Sequence, residues 1–197
     1  MNPGREQGWS ILETVITIVV LGILIGLAMP PITAINPAGP MTRTLSNMKQ
    51  LHLATQWMAL DGTTTGETNV LLWPGDSGGS FARWTTTLVS SNYLSTDDLC
   101  RLLSAPGKIT PSGKVPVTNS NAILVYAAKE ESEGNVVFLS SANFTNTPAG
   151  GDPLKPDALP FGNKGFVVFR KSGDGAILMP KQVGQTNVIG SFVPLLK

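Results

Sequence analysis

The chain has 197 residues, enough for one domain with an appendage, and only 14% of the residues are charged. Its 14 lysines and arginines nearly balance its 13 acidic residues and form no block, so a nucleic-acid-binding protein with a clustered basic face is not expected. One histidine and one cysteine exclude an internal disulfide and most metal sites built from these residue types.

The first feature along the chain is an apolar run, residues 14–29, which contains no ionisable group. Counted from Trp9 to Met29, the segment holds 21 residues. At about 1.5 Å per residue it would span roughly 30 Å, the hydrocarbon core of a bilayer. We therefore predict a membrane-spanning helix over residues 9–30. Two other interpretations are a secretory signal peptide cleaved near Gly26-Leu27-Ala28 and an ordinary anchor helix.

Glu13 distinguishes these interpretations, because neither a signal peptide nor a plain anchor favours a carboxylate inside the apolar segment. An acidic side chain at the centre of a bilayer costs on the order of 2.5–3.5 kcal/mol, less near an end, and usually indicates a partner. The segment offers no lysine, arginine or histidine. Cleavage just before Trp9 would create a free amino group four residues from Glu13, on the same helical face.

Residues 8–14, Gly-Trp-Ser-Ile-Leu-Glu-Thr, and the apolar run after them resemble the prepilin signature of type IV pilins and type II secretion pseudopilins. In that family a short polar leader ends in glycine and a glutamate stands at the fifth position of the mature chain. A glycine and then a proline follow in the apolar helix. Gly8, Glu13, Gly22 and Pro30 occupy the matching places in this chain.

The resemblance implies that a prepilin peptidase cleaves between Gly8 and Trp9 and methylates the new amine. Residues 1–8 would be the leader, residues 9–30 the transmembrane and assembly helix, and residues 31–197 a periplasmic domain. The monomer would be a single-pass protein of the bacterial cytoplasmic membrane. It would then join pilin or pseudopilin subunits in a filament, in the periplasm or at the cell surface, extended by an ATPase-driven inner-membrane platform.

In such a filament, Glu13 of one subunit would neutralise the amine of Trp9 on its neighbour, which would fix the register. Gly22 and Gly26 form a Gly-x-x-x-Gly pair that allows close helix approach, although glycine is also simply common in membrane helices. Pro30, followed by a second proline, would kink or end the helix near the membrane exit.

A second helix is predicted over residues 42–60, because apolar side chains recur there at spacings of three and four. They form one stripe that would bury against a sheet: Met41, Leu45, Met48, Leu51, Ala54 and Met58. A second stripe, formed by Leu53, Trp57 and Leu60, could pack on a neighbour, and Asp61-Gly62 is a plausible helix end. Within this helix we expect His52 to face a polar groove or hydrogen-bond a loop.

Residues 61–121 are predicted to be a variable, loop-rich region with short helices near residues 81–93 and 96–103. Trp73 and Trp84 are expected to be packing anchors, Cys100 a buried thiol, and Ser95 a helix cap followed by two acidic residues that favour the N-terminus.

Residues 122–181 are predicted to form the sheet, with four strands rich in Val, Ile, Phe and Leu: 122–129, 135–141, 165–171 and 176–181. Ser172-Gly173-Asp174-Gly175 predicts a hairpin. The fold class is therefore α+β and pilin-like, with a long N-terminal helix packed on an antiparallel sheet of about four strands.

No cofactor and no catalytic activity are expected. Calcium at Asp152, Asp157 and Asp174 is the alternative, but calcium requires six to eight oxygen ligands and their spacing matches no known loop pattern. Two rival functions stay open: a membrane-anchored or secreted binding module that does not polymerise, and a hydrolase using serine, His52 and an aspartate. The hydrolase is disfavoured, because the sequence has no Gly-x-Ser-x-Gly elbow.

Overall fold

The computed structural model describes residues 11–28, 38–66, 72–76, 78–144, 154, 157–183 and 185–197. The chain divides into two compact units, residues 1–36 and residues 37–197. The first contains helix α1, Ile11–Ala28. Among the described residues, no helix has both the length and the apolar character needed to cross a bilayer. The segment predicted to do so, residues 9–30, extends at both ends into residues outside this description.

The second unit begins with helix α2, Ala38–Thr65, which is longer than the predicted 42–60 at both ends. Pro40 lies in its first turn, where a missing amide donor costs nothing. The predicted end at Asp61-Gly62 is wrong, because the threonine hydroxyls of the last turn bond back to the carbonyls of Leu60 and Asp61. The helix stops before Gly66, whose φ of +78° suits glycine.

The prediction of one long N-terminal helix is not met within the described part of the chain, which has α1 and α2 as separate helices with residues 29–37 outside the description. The two short helices predicted further along are present. They are α3, Phe81–Ser90, and α4, Thr96–Leu102.

A four-stranded antiparallel sheet follows, as predicted. Its strands, in sheet order, are β1 Ile123–Val125, β2 Val137–Ser141, β3 Phe166–Arg170 and β4 Gly175–Leu178. The hairpin between β3 and β4 pairs Phe169 with Gly175, and Gly173 in its turn has a φ of +91°. A short helix, α5, Thr186–Ile189, comes after the sheet and was not predicted.

The sheet is buried on both faces, and β3 shows why. Val167 and Phe169 belong to the core shared with α2, whereas Phe166 and Val168 belong to a second core on the opposite face. Alternate side chains of a strand point to opposite faces, so a continuous apolar run is needed where both are covered. α2 packs on β3 and β4 and also contacts α3 and α4.

The outer edge of β1 is covered by the C-terminal segment. The Leu196 amide donates to the Val125 carbonyl at 3.0 Å, and the Ala127 amide donates to the Pro194 carbonyl at 2.8 Å. The Asn119 side-chain amide donates to the carbonyls of Val125 and Leu196, which ties the two segments together. This cover removes an exposed strand edge that could pair with another chain.

Candidate assembly surface

Helix α1 exposes its apolar side chains. Each of its described large apolar residues is between 48% and 85% exposed: Ile11, Leu12, Val15, Ile16, Ile18, Val19, Val20, Leu21 and Ile23. A helix that is apolar around its whole circumference is stable only where something other than water surrounds it. α1 therefore requires a lipid, a detergent or protein partners along most of its described length.

Glu13 is the third residue of α1 and its only charged residue. Its backbone carbonyl accepts a hydrogen bond from the Thr17 hydroxyl at 2.8 Å. The ion pairs found among the described residues do not include Glu13. A carboxylate in the first turn interacts favourably with the helix dipole, worth about 0.3–1 kcal/mol. That gain is smaller than the cost of an unpaired carboxylate in an apolar environment.

The remaining predicted assembly residues are only partly within the described chain. Gly22 and Gly26 lie on α1, four residues apart and so on one helical face. The processing residues Gly8 and Trp9, and the kink residue Pro30, lie outside the described residues.

Helix α2 has two faces, as its sequence predicts. Its inward stripe is buried, with Met48 and Leu51 at 0% exposure and Leu45 partly buried. On the outward face, Trp57 is 59% exposed and Leu60 is 58% exposed. With Leu53, 36% exposed, they form a surface that we call the outward face of α2.

Trp57 and Leu60 line a groove of about 500 Å³ whose other wall is formed by Trp73, Glu130 and Lys171. Trp73 is itself 5% exposed, which confirms the predicted packing anchor. Its place beside the outward face could not be predicted, because Trp73 is at least 13 positions away from Leu53, Trp57 and Leu60 in the sequence.

His52 is a core histidine. Its Nε2 atom lies 2.8 Å from the Lys171 carbonyl, in the β3–β4 turn, so of the two predicted environments the loop hydrogen bond is correct. The rings of Trp73, Phe138 and Phe169 surround it at centroid distances of 5.8, 6.0 and 5.3 Å. Burial lowers the pKa of His52, opposed by the smaller effect of this hydrogen bond.

Cys100, Ser95 and Trp84 are each part of the packing of the domain or of a helix end. Cys100 is buried and unpaired, and burial raises its pKa. The Ser95 hydroxyl accepts from the Asp98 amide at 3.1 Å, which confirms the predicted helix cap. Trp84 is 1% exposed and confirms the second packing anchor.

The described residues do not gather into a metal site. No three histidine, cysteine or acidic side chains among them lie close enough to hold an ion. Of the three aspartates considered for calcium, Asp174 accepts from the guanidinium of Arg170 and the hydroxyl of Ser172, and Asp152 lies outside the described residues.

Comparisons with protein families, with curated proteins and with solved structures found no match to this chain.

Proposed function

We propose that this chain is a structural subunit, similar to type IV pilins and type II secretion pseudopilins, that polymerises through its N-terminal helix. The observation that carries the proposal is the combination found in α1: one carboxylate, Glu13, on a helix whose apolar side chains are exposed. A helix used only as an anchor gains from this carboxylate no more than the small stabilisation by the helix dipole, whereas a helix that must recognise another copy gains a specific partner for it.

In this proposal the monomer is held in the bacterial cytoplasmic membrane by residues 9–30, with residues 31–197 in the periplasm. Prepilin peptidase removes residues 1–8 and methylates the amine of Trp9. On assembly the apolar helices leave the lipid and pack against each other. Glu13 then pairs with the amine of Trp9 on an adjacent subunit, in surroundings where an unpaired charge is strongly disfavoured. The chain performs no catalysis in this role.

The N-terminus of the mature protein tests the processing step. Intact-mass spectrometry of the protein from its native membrane should find a chain that begins at Trp9 and carries one added methyl group. Gly8→Val should prevent both changes. A mature chain that begins near Met29 would support a secreted module, and one that keeps Met1 would support a plain anchor; either result contradicts the proposal.

Glu13→Val tests the assembly step. The substitution removes a charge from an apolar helix, so membrane insertion should be retained or improved. Filaments sheared from cells should nevertheless contain less than about a tenth of the wild-type amount of this subunit, since a buried amine loses its partner at a cost of several kcal/mol. Thr17→Val, one helical turn away, is the matched control and should assemble normally. Equal incorporation of Glu13→Val and wild type would disprove the pairing.

A further inference from the structure

A broad cleft of about 1010 Å³ lies between α2, α4 and the loop that follows α4. We call it the α2–α4 cleft. Arg43 and Asn47 of α2 line one side, Arg101 of α4 lines the other, and Ile109 and Pro111 belong to the loop. Ile109 is 82% exposed. An apolar rim residue beside charged groups is typical of surfaces that bind another protein.

The cleft carries charges of both signs, two arginines and Asp97, and one of the arginines is outside the ion pairs found among the described residues. Arg101 pairs with Asp98 at 2.9 Å, but the ion pairs among the described residues do not include Arg43. Arg43 is the sixth residue of α2, beyond the first turn in which the helix dipole acts, so its interactions are set by the side chains around it. Asp97 also lines the cleft, and one of its oxygens accepts from the Gly113 amide at 3.3 Å. An incoming carboxylate would interact favourably with Arg43.

A surface of opposite charge lies beside the outward face of α2. It is the loop of residues 130–133, which we call the acidic loop and which contains Glu130, Glu131 and Glu133. The side chain of Glu131 is 81% exposed and forms an ion pair with Lys129 at 3.5 Å, which solvent screens. Glu130 lines the groove together with Trp57 and Leu60, so the acidic loop and the outward face of α2 present charged and apolar groups side by side.

The acidic loop is held in place from several sides. The Lys171 ammonium donates to the carbonyls of Glu130 and Ser132 and lies 5.3 Å from the centre of the Trp73 ring. The Glu130 amide donates to the Asp76 carboxylate at 2.7 Å. A loop fixed in this way can bind without a large loss of conformational freedom.

The two surfaces lie towards opposite ends of α2. The cleft uses residues 43–50 of the helix and the groove beside the acidic loop uses residues 56–63. Arg43 and Leu60 are 17 residues apart in the sequence, about 26 Å along a helix. The acidic loop of one copy therefore cannot reach its own cleft, but it can reach the cleft of another copy. Two different surfaces on each copy produce a head-to-tail contact, which extends into a chain rather than closing as a symmetric dimer.

We propose that the acidic loop of one copy binds the α2–α4 cleft of the next, so that neighbouring subunits are joined through residues 37–197 as well as through α1. The glutamates pair with Arg43 and Arg101, and the outward face of α2 lies against the apolar rim at Ile109. This inference rests on the proposed polymer and names the contact between its globular domains.

Disulfide cross-linking of the full-length chain in native membranes tests the contact directly. In a Cys100→Ser background, Ser46→Cys in the cleft and Glu131→Cys in the acidic loop should form a ladder of intermolecular disulfides when both are present. Each single variant should give dimers at most. Ser46→Cys combined with Lys181→Cys is the control, since Lys181 is exposed and lines neither surface.

A charge swap tests whether the contact is electrostatic. Arg43→Glu should lower the yield of this cross-link about three- to tenfold, as expected for replacing an exposed attraction by a repulsion. Adding Glu133→Arg in the same chain should restore most of the yield. Lys181→Glu should have no effect.

The outcomes separate this contact from the proposed function. If filaments form but the double-cysteine variant gives no cross-link and Arg43→Glu does not change filament yield, the contact is overturned and the proposed polymer stands. A cross-linked ladder without filaments or cleavage before Trp9 would support the contact and overturn the pilin-like function. Absence of the ladder in the double-cysteine variant, together with absence of filaments from wild type, would overturn both.

Discussion

Acidification should destabilise the domain through His52. The ring is 4% exposed, and its Nε2 atom lies 2.8 Å from the Lys171 carbonyl. Protonation would place an imidazolium in a buried site. The Trp73 ring beside His52 also has the Lys171 ammonium over it, so a second positive charge belongs to the same surroundings. Burial therefore lowers the pKa of His52 below its usual 6.5, despite the opposing hydrogen bond to Lys171.

The sign of the effect follows from this lowered pKa. As the pH falls below 6.5, the unfolded chain binds a proton before the folded chain does, so the free energy of unfolding decreases. The loss stops once the pH passes the pKa of the folded state. A single proton limits the slope to about 1.4 kcal/mol per pH unit. For a domain of this size, that corresponds to about 3–6 °C in Tm per pH unit.

Thermal unfolding of the full-length chain in detergent, between about pH 8 and pH 5, measures this loss. His52→Gln is the matched variant, because its amide can still donate to Lys171 but does not titrate. Wild type should be the more stable at pH 8, and the difference in Tm should shrink as the pH falls. Asp98 and Asp174 also have lowered pKa values, Asp98 chiefly through its hydrogen bond with Arg101. For Asp174, burial raises the pKa but is outweighed by the hydrogen bond with Ser172 and the interactions with Arg170. Both carboxyl groups would reduce the free energy of unfolding only as the pH falls below 3.8, outside the range of this titration. Curves for wild type and His52→Gln that stay parallel would refute the reasoning.

Two further predictions concern α2. Met58 is 1% exposed, so Met58→Ala should lower the free energy of unfolding by about 2–5 kcal/mol in a denaturant titration. Trp57→Ala, at the adjacent exposed position, should change the free energy of unfolding by less than about 0.5 kcal/mol and should instead weaken self-association. Comparable destabilisation by Met58→Ala and Trp57→Ala would contradict the assignment of a buried and an exposed face to α2. The Tyr93 phenol donates to the Asp61 carboxylate at 2.6 Å, and burial first, then this partner, raises the pKa of Tyr93 to about 12. Ultraviolet titration should show that high step in wild type, and Asp61→Asn should move it towards 10. Since the phenol of Tyr93 keeps its proton to a higher pH in the folded state than in the unfolded state, this hydrogen bond contributes fully to stability below about pH 10. The contribution is lost as the pH rises towards 12.

The elements that could be predicted from the sequence are those specified by local patterns. The stripe through Met48 and Leu51 has the period of a helix, and it is buried as expected. Ser172-Gly173-Asp174-Gly175 favours a tight turn on its own, so the hairpin formed where predicted. Ser95 caps α4 because its hydroxyl needs only an amide three residues away.

Features that depend on distant contacts could not be predicted. The helix α2 continues past Gly62, and near its end the Asp61 carboxylate accepts a hydrogen bond from the phenol of Tyr93, 32 positions along the chain. The contact that covers the edge of β1 joins Asn119, Val125 and Leu196, and no short sequence pattern around these residues predicts it. The α2–α4 cleft brings together Arg43 and Arg101, which are 58 positions apart in a sequence without any basic block.

For the candidate assembly surface, the sequence identified Glu13 and the outward face of α2 but not their surroundings. Glu13 could be recognised because a charge in an apolar run is conspicuous without knowledge of the fold. The groove beside Trp57 could not, because Trp73 and Lys171 reach it from separate parts of the chain. His52 illustrates the same limit, since the three rings around it come from the loop before α3 and from two strands.

The described members of the two core clusters lie between residues 41 and 196. A screen of random variants for thermal stability would therefore report chiefly on substitutions in this part of the chain. Defects at the exposed apolar positions of α1, such as Ile11 and Ile18, need a screen that measures recovery in membranes or filaments.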